Sequence, residues 1–258
     1  FNDRFFLREQ LISIANLRYL TKPEWQNSVA IKGKDNWLYS NKKDWIDNYQ
    51  NKDLFNQKEL QYLSDYFNSV NEYCRKNNKT FYLLIIPIKS RIYGEYMPEY
   101  LHKKYPDSQS RTYQVINYLT NRSDIKIVYP YDVLMQNKTK GLLYYKTDTH
   151  WNDLGASLIY DELINIMQKD GFKIQPFDYK NYTKYEKYNG DILKRLPKIL
   201  RYNDDYNYIN YDMDELYTEK VHGILLKTFN LNKKYHLYLY RDSFTDKLLP
   251  FLSNTFEK

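Results

Sequence analysis

Thr80-Phe81-Tyr82-Leu83-Leu84-Ile85-Ile86-Pro87 is a nearly unbroken apolar run closed by a proline, and its reading decides the fold. The longest apolar stretch of the chain, Phe81–Ile88, is eight residues with Pro87 inside it. A helix that crosses a bilayer needs about 20 such residues, so no transmembrane segment is read here. A short run that does not alternate fits a strand covered on both faces. Working upstream, Leu60, Leu63, Phe67, Val70 and Cys74 recur at spacings of three and four, which predicts an amphipathic helix over Gln57–Asn77. Downstream, Gln109–Leu119 is a second helix and Ile125–Tyr129 a second buried strand. Tyr131–Gln136 is a short helix, Leu142–Tyr145 a strand, and Asn152–Gln168 a long helix with Leu154, Leu158, Leu163, Ile166 and Met167 on its apolar side. Residues 171–222 are polar, rich in Tyr and Asn, and read as irregular. Ile224–Phe229 and Tyr235–Tyr240 read as strands and Ser243–Phe256 as a closing helix. Alternation of helix and buried strand predicts an α/β sandwich with a mainly parallel sheet. In such sheets sites form where strand ends turn into helices. Ahead of this region, Phe5–Leu20 reads as a helix ended by Pro23, and Ile31–Tyr39 as a hairpin turning at Gly33–Asn36.

The 258 residues suit one large domain or two small ones. With 39 Lys+Arg against 32 Asp+Glu the net charge is +7. The excess is spread along the chain without a basic cluster, so nucleic-acid binding rests on total charge alone. The 30 tyrosines read as compositional bias. One cysteine, Cys74, excludes an internal disulfide and a cysteine-based zinc site; its place on the apolar stripe makes it a small core residue. The first residue is Phe1 and not Met, so the missing leader says nothing of location.

Three turns carry residues suited to chemistry: Thr147-Asp148-Thr149-His150-Trp151-Asn152, Tyr240-Arg241-Asp242-Ser243-Phe244, and Pro87-Ile88-Lys89. A serine in a strand-to-helix turn presents its hydroxyl outward, and unpaired backbone N–H groups of the next helix can hold an oxyanion. A serine needs an imidazole to take its proton, and the imidazole needs an orienting carboxylate. His150 and Asp148 are candidates. The structural alternative for Ser243 is a helix N-cap. Asp148-x-His150 alone is weak: with 4 His and 21 Asp in 258 residues, chance supplies such a pair about 0.3 times. A capped helix start, through Asn152 or Asp148, and a partial metal site are its other readings. His102, His222 and His236 stand at no ligand-like spacing to His150, and no metal is expected. Lys89 reads as a solvated loop lysine, with capture of an anionic group as its functional alternative.

Taken in order, Gly33-Lys-Asp-Asn-Trp37-Leu-Tyr39, Ile86-Pro87-Ile-Lys89 with Arg91-Ile-Tyr93, Thr147-Asp148-Thr-His150-Trp151-Asn152 with Gly155-Ala156, Gly190-Asp191-Ile-Leu193 and Asp242-Ser243-Phe244 resemble the AlgJ/AlgX group of SGNH-hydrolase-like polysaccharide O-acetyltransferases, over roughly residues 30–258. The resemblance implies an SGNH-like three-layer α/β sandwich in permuted order, with residues 1–30 an N-terminal helical segment and 31–258 the catalytic domain. It implies Ser243 as nucleophile, His150 as general base and acid, and Asp148 as orienter, with the Ser243 N–H in the oxyanion hole. Acetyl-Ser243 would pass its acetyl group to a hydroxyl of an exopolysaccharide. An acetylesterase with the same triad and a non-catalytic polysaccharide-binding module are the alternatives. Trp151, Lys89 and Arg241 are the expected substrate-side residues, and Trp37 a further ring for sugar stacking. No cofactor is implied. The implied partners are the polysaccharide and a membrane-bound O-acyltransferase that supplies acetyl groups. The implied location is extracytoplasmic, at the cell surface or membrane-anchored (periplasmic in a Gram-negative cell), the anchor preceding Phe1. Two departures stand out: Arg241 occupies a position that is usually Gly, and the chain ends 15 residues after Ser243, either as a compact branch or for want of a C-terminal piece.

Overall fold

The protein is described from a computed structural model over residues 16–213, 218–222, 225–229 and 233–257. The helix expected over Phe5–Leu20 falls largely outside these residues; 16–20 are helical. The chain divides into two compact units, one running to Tyr129 and including Arg195–Arg201, the other made of Pro130–Lys194 and Tyr202–Lys258.

In the first unit β1 (Trp25–Gln26), β2 (Ala30–Lys32) and β3 (Leu38–Ser40) form an antiparallel sheet with Ile31 opposite Tyr39. This is the expected hairpin. Its turn holds Asp35 and Asn36 at φ 49° and 62°, a left-handed region that Asp and Asn tolerate better than most side chains. Helix α1 (Lys43–Tyr49) follows, then α2 (Gln57–Lys76). Helix α2 opens with a capping box in which Asn56 accepts from the N–H of Lys58 and Glu59 while Glu59 reaches back to the Asn56 N–H. Strand β4 (Tyr82–Leu84), helix α3 (Lys89–Ile92), helix α4 (Arg111–Thr120) and strand β5 (Lys126–Val128) complete the unit. β4 and β5 pair in parallel, Leu83 opposite Ile127, and α2 packs on α4, where Tyr118 donates to Gln61 at 2.8 Å.

The second unit carries α5 (Tyr131–Gln136), α6 (Asp153–Lys169), β6 (Thr183–Glu186), α7 (Asp191–Arg195), β7 (Tyr208–Tyr211), β8 (Thr218–His222), β9 (Leu225–Phe229), a 3₁₀ turn over Ser243–Lys247 and α8 (Leu249–Ser253). Helix α6 is buried nearly all round its first two turns, Leu154, Gly155, Ala156, Ser157, Leu158, Ile159 and Tyr160 alike. Tyr160 ties the end of the chain to it: the ring stacks on Phe251 at 5.4 Å, and the hydroxyl sits 2.6 Å from Thr255 Oγ1 while accepting the Phe177 N–H at 2.7 Å. Phe251 is fully buried, which is worth roughly 2–3 kcal/mol. That docking fixes the segment just after Ser243.

The α/β class is as expected, but parallel pairing among the described residues is confined to β4 and β5; β6–β7 and β8–β9 are antiparallel. The β4 residues are half-buried rather than covered on both faces. Among the described residues Tyr235–Tyr240 is not assigned as a strand; Tyr238 and Tyr240 are exposed. Its alternating aromatics have the composition of a strand without the backbone pattern of one. The segment read as irregular instead contains β6 and β7, in which Tyr208 and Asn210 point inward and Ile209 and Tyr211 are half-buried.

Candidate active site

The segment 144–151 doubles back on itself through a bridge between Tyr144 and Trp151, and the Tyr145 N–H donates to the His150 carbonyl at 3.3 Å. Helix α6 starts immediately after. Its N-cap is Asn152, whose Oδ1 accepts the Gly155 N–H at 3.0 Å and whose Nδ2 donates to the Leu142 carbonyl at 2.5 Å. A Cβ on Gly155 would lie 2.3 Å from the Leu143 carbonyl oxygen, so only glycine lets the first turn of α6 pass this close. Because Asn152 does the capping, Asp148 is free of that task.

Asp148 is instead directed at the imidazole. Its Oδ1 accepts from His150 Nδ1 at 2.7 Å and from the His150 N–H at 2.9 Å. Its Oδ2 accepts the Asp191 N–H at 2.7 Å, with the Tyr188 hydroxyl at 3.3 Å. With Nδ1–H on the carboxylate, the Nε2 lone pair faces outward. There it meets Ser243 Oγ at 2.8 Å. The same division of labour holds at the second turn: Asp242 is the N-cap of the 3₁₀ segment, accepting the Phe244 N–H at 3.0 Å, so Ser243 is not a cap. The three side chains step outward, Asp148 at 3% and His150 at 26% exposure, with Ser243 exposed.

Phe244 holds the two turns together. It is buried, lies 4.8 Å from the His150 ring and takes the edge of Trp151 at 5.5 Å. Tyr145 and Tyr188 stack at 4.0 Å on the inner side. Burial, and after it the charge of Asp148 and neighbouring groups, pushes the Tyr188 phenol well up; burial and then Asp153 do the same for Tyr145. Both remain protonated at neutral pH, so Tyr188 faces Asp148 as a hydrogen-bond donor. Lys247 lies 2.7 Å from Asp153 Oδ1 as an ionic contact rather than an aligned hydrogen bond.

Of the substrate-side expectations, Arg241 is exposed beside Ser243, with its guanidinium on Asp246. Trp151 is corrected: it is completely buried, so its ring cannot be offered to a sugar. Trp37, fully buried in the first unit against Tyr93 at 4.4 Å, is excluded in the same way. Lys89 is corrected too. It is 2% exposed, donates to the Leu38 carbonyl at 2.5 Å and lies 5.1 Å from the Tyr39 ring centre, an ammonium held by a carbonyl and aromatic faces. Asp148, His150 and Asp191 bring ligand-type atoms within 4.8 Å of one another, yet both carboxylates already accept N–H donors, and the set reads as a hydrogen-bonding centre. Reasoning on residue types alone missed Asp191, Tyr188 and the packing role of Phe244. Only the Gly190-Asp191 pair left a trace, as a short motif without a role.

A sequence model of the family described as SGNH hydrolase-like domain, acetyltransferase AlgX, matches residues 30–257. The probable alginate O-acetylase AlgJ of Pseudomonas syringae pv. tomato is 26% identical over 172 residues, 65% of this chain and 41% of that protein, so the chain spans about two fifths of that relative's length. Among solved structures, a DHHW family protein from Eubacterium siraeum is similar at TM-score 0.57 and 17% identity, covering 92% of this chain and 82% of that one. Bacillus cereus PatB1 with a sulfonyl adduct is similar at TM-score 0.59 and 18% identity, covering 90% and 84%. At these identities the likeness is one of fold.

Proposed function

Because the chain belongs to the SGNH hydrolase-like acetyltransferase AlgX family, we propose that it is an O-acetyltransferase of an exopolysaccharide, with Ser243, His150 and Asp148 as its triad. The observation that carries this reading is the unbroken hydrogen-bonded line from Asp148 Oδ1 through His150 to Ser243 Oγ, at 2.7 and 2.8 Å. Ser243 Oγ attacks the carbonyl carbon of an acetyl donor as His150 Nε2 takes its proton. The Ser243 N–H donates to the oxyanion. Collapse breaks the bond to the donor's leaving group, which receives the proton from His150, and leaves acetyl-Ser243. A sugar hydroxyl then attacks, His150 removes its proton, and the second collapse returns that proton to Ser243 Oγ. Asp148 holds the ring in the required tautomer and stabilises the imidazolium.

Water attacking the acetyl-enzyme would make the chain an esterase, and the exposure of Ser243 admits water as readily as a sugar. The proposed setting is extracytoplasmic, with the acetyl group delivered by a membrane-bound O-acyltransferase. Among the described residues no helix is long and apolar enough to cross a membrane.

The test uses nitrophenyl acetate with and without polysaccharide acceptors. Ser243→Ala and His150→Ala should each reduce kcat by about 10³-fold or more, and mass spectrometry should find one acetyl or sulfonyl group on Ser243. Full turnover in either variant would sink the triad; polysaccharide affinity without any adduct would favour a non-catalytic binding module. Acetyl transfer to polymer above the hydrolysis rate separates transferase from esterase.

A further inference from the structure

We propose that Asp191 is a positioning residue for this triad, fastening both its orienter and its base from the far side of the chain. The inference rests on the triad reading above and adds a residue to it. Asp191 acts twice. Its backbone N–H donates to Asp148 Oδ2 at 2.7 Å, on the oxygen that His150 does not use. Its side chain accepts the Thr149 N–H on Oδ1 at 2.9 Å and lies 3.4 Å from Thr149 Oγ1 through Oδ2. Thr149 Oγ1 is in turn 3.1 Å from His150 Nδ1. One residue thus grips Asp148 through its main chain and the peptide joining Asp148 to His150 through its carboxylate.

The approach is possible because of the residue before it. A Cβ on Gly190 would lie 2.4 Å from the Thr147 carbonyl carbon and oxygen and 2.5 Å from Asp148 Cβ, distances no side chain tolerates. The Gly190 N–H donates to Thr147 Oγ1 at 2.9 Å and the Leu193 N–H to the Thr147 carbonyl at 3.2 Å, so the start of α7 is laced to residues 147–149 along its length. The carboxylate of Asp191 also places a second negative charge within 4.8 Å of the imidazole. Of the charged and titratable groups on neighbouring elements, Tyr188 lies 3.3 Å from Asp148 Oδ2, Lys194 sits 5.6 Å from the Tyr188 ring centre, and Arg241 and Asp242 directly precede Ser243. Arg241 is held by Asp246 and Lys247 by Asp153.

The experiment compares Asp191→Ala and Asp191→Asn with the parent chain on nitrophenyl acetate across pH, with rates normalised to folded protein by thermal melting. Asp191→Ala removes the grip on Thr149 and should lower kcat about 10–100-fold with KM nearly unchanged, the cost of a misplaced base. Asp191→Asn keeps an acceptor for the Thr149 N–H and should stay within a few-fold of the parent kcat. A purely structural residue would lower the melting temperature and leave the kcat of the folded protein in place. Parent-level kcat in Asp191→Ala, or as large a loss in Asp191→Asn as in Asp191→Ala, overturns the proposal. Should the alanine variant fail to fold, Asp191→Ser is assayed in its place: its shorter side chain withdraws from the Thr149 N–H, so the same kcat loss is expected, and parent-level kcat overturns the proposal. Ser243→Ala is run alongside: if it retains turnover, the triad and this inference fall together, whereas an inactive Ser243→Ala with unaffected Asp191 variants removes the inference alone.

Discussion

The two halves of the site are built in opposite ways. The half that carries Asp148 and His150 is largely buried, with His150 partly exposed, capped by Asn152 and laced to residues 190–193 by hydrogen bonds. The half that carries Ser243 lies on a five-residue 3₁₀ turn and is exposed; Phe244 and the docking of α8 anchor it. The difference teaches where precision is needed. A general base must keep one tautomer and one orientation, which takes several fixed partners. A hydroxyl nucleophile needs only its distance to the base and an open approach.

The sharpest way to break this comparison is Asp148→Asn. If the buried half works by fixing the tautomer, kcat should fall on the order of 10³–10⁴-fold while the melting curve moves little; a loss under tenfold would mean that the carboxylate is not the orienter. The anchor of the exposed half is tested by Phe244→Ala. Removing a buried ring should cost about 3 kcal/mol of stability, read by denaturant melting, and should lower kcat further as Ser243 loses its seat. Stability close to the parent would show that α8 alone holds the turn. The smallest effect is expected at Arg241→Ala. An exposed ion pair with Asp246 contributes about 0–1 kcal/mol, so melting should be unchanged and kcat should stay within about threefold. A larger kcat loss would give Arg241 a role toward substrate.

What could be read from residue order divides along the same line. The hairpin at 30–40, helix α2 and helix α6 were legible because each is specified locally, by turn residues, by apolar spacing and by caps such as Asn56 and Asn152. Asp148, His150 and Ser243 were legible as chemical types at two turns, although nothing in their spacing says that those turns meet. Lys89 was misjudged because its carbonyl partner, Leu38, lies 51 positions away. Asp191 was invisible as a role because it acts partly through a main-chain N–H, which every residue except proline possesses. Tyr235–Tyr240 misled in the other direction: tyrosine favours sheets yet is content in water, so an aromatic alternation does not guarantee a strand. Asn210, 1% exposed in β7, broke the apolar rhythm that would have betrayed that strand.

The outward step from Asp148 to Ser243 has a consequence for the size of what reaches it. A hydroxyl sunk at the bottom of a funnel selects small esters by their girth. One standing at the rim imposes no such limit, so a long flexible polymer can be met anywhere along its length, and discrimination passes from the width of an entrance to the grooves and charges of the ground around it.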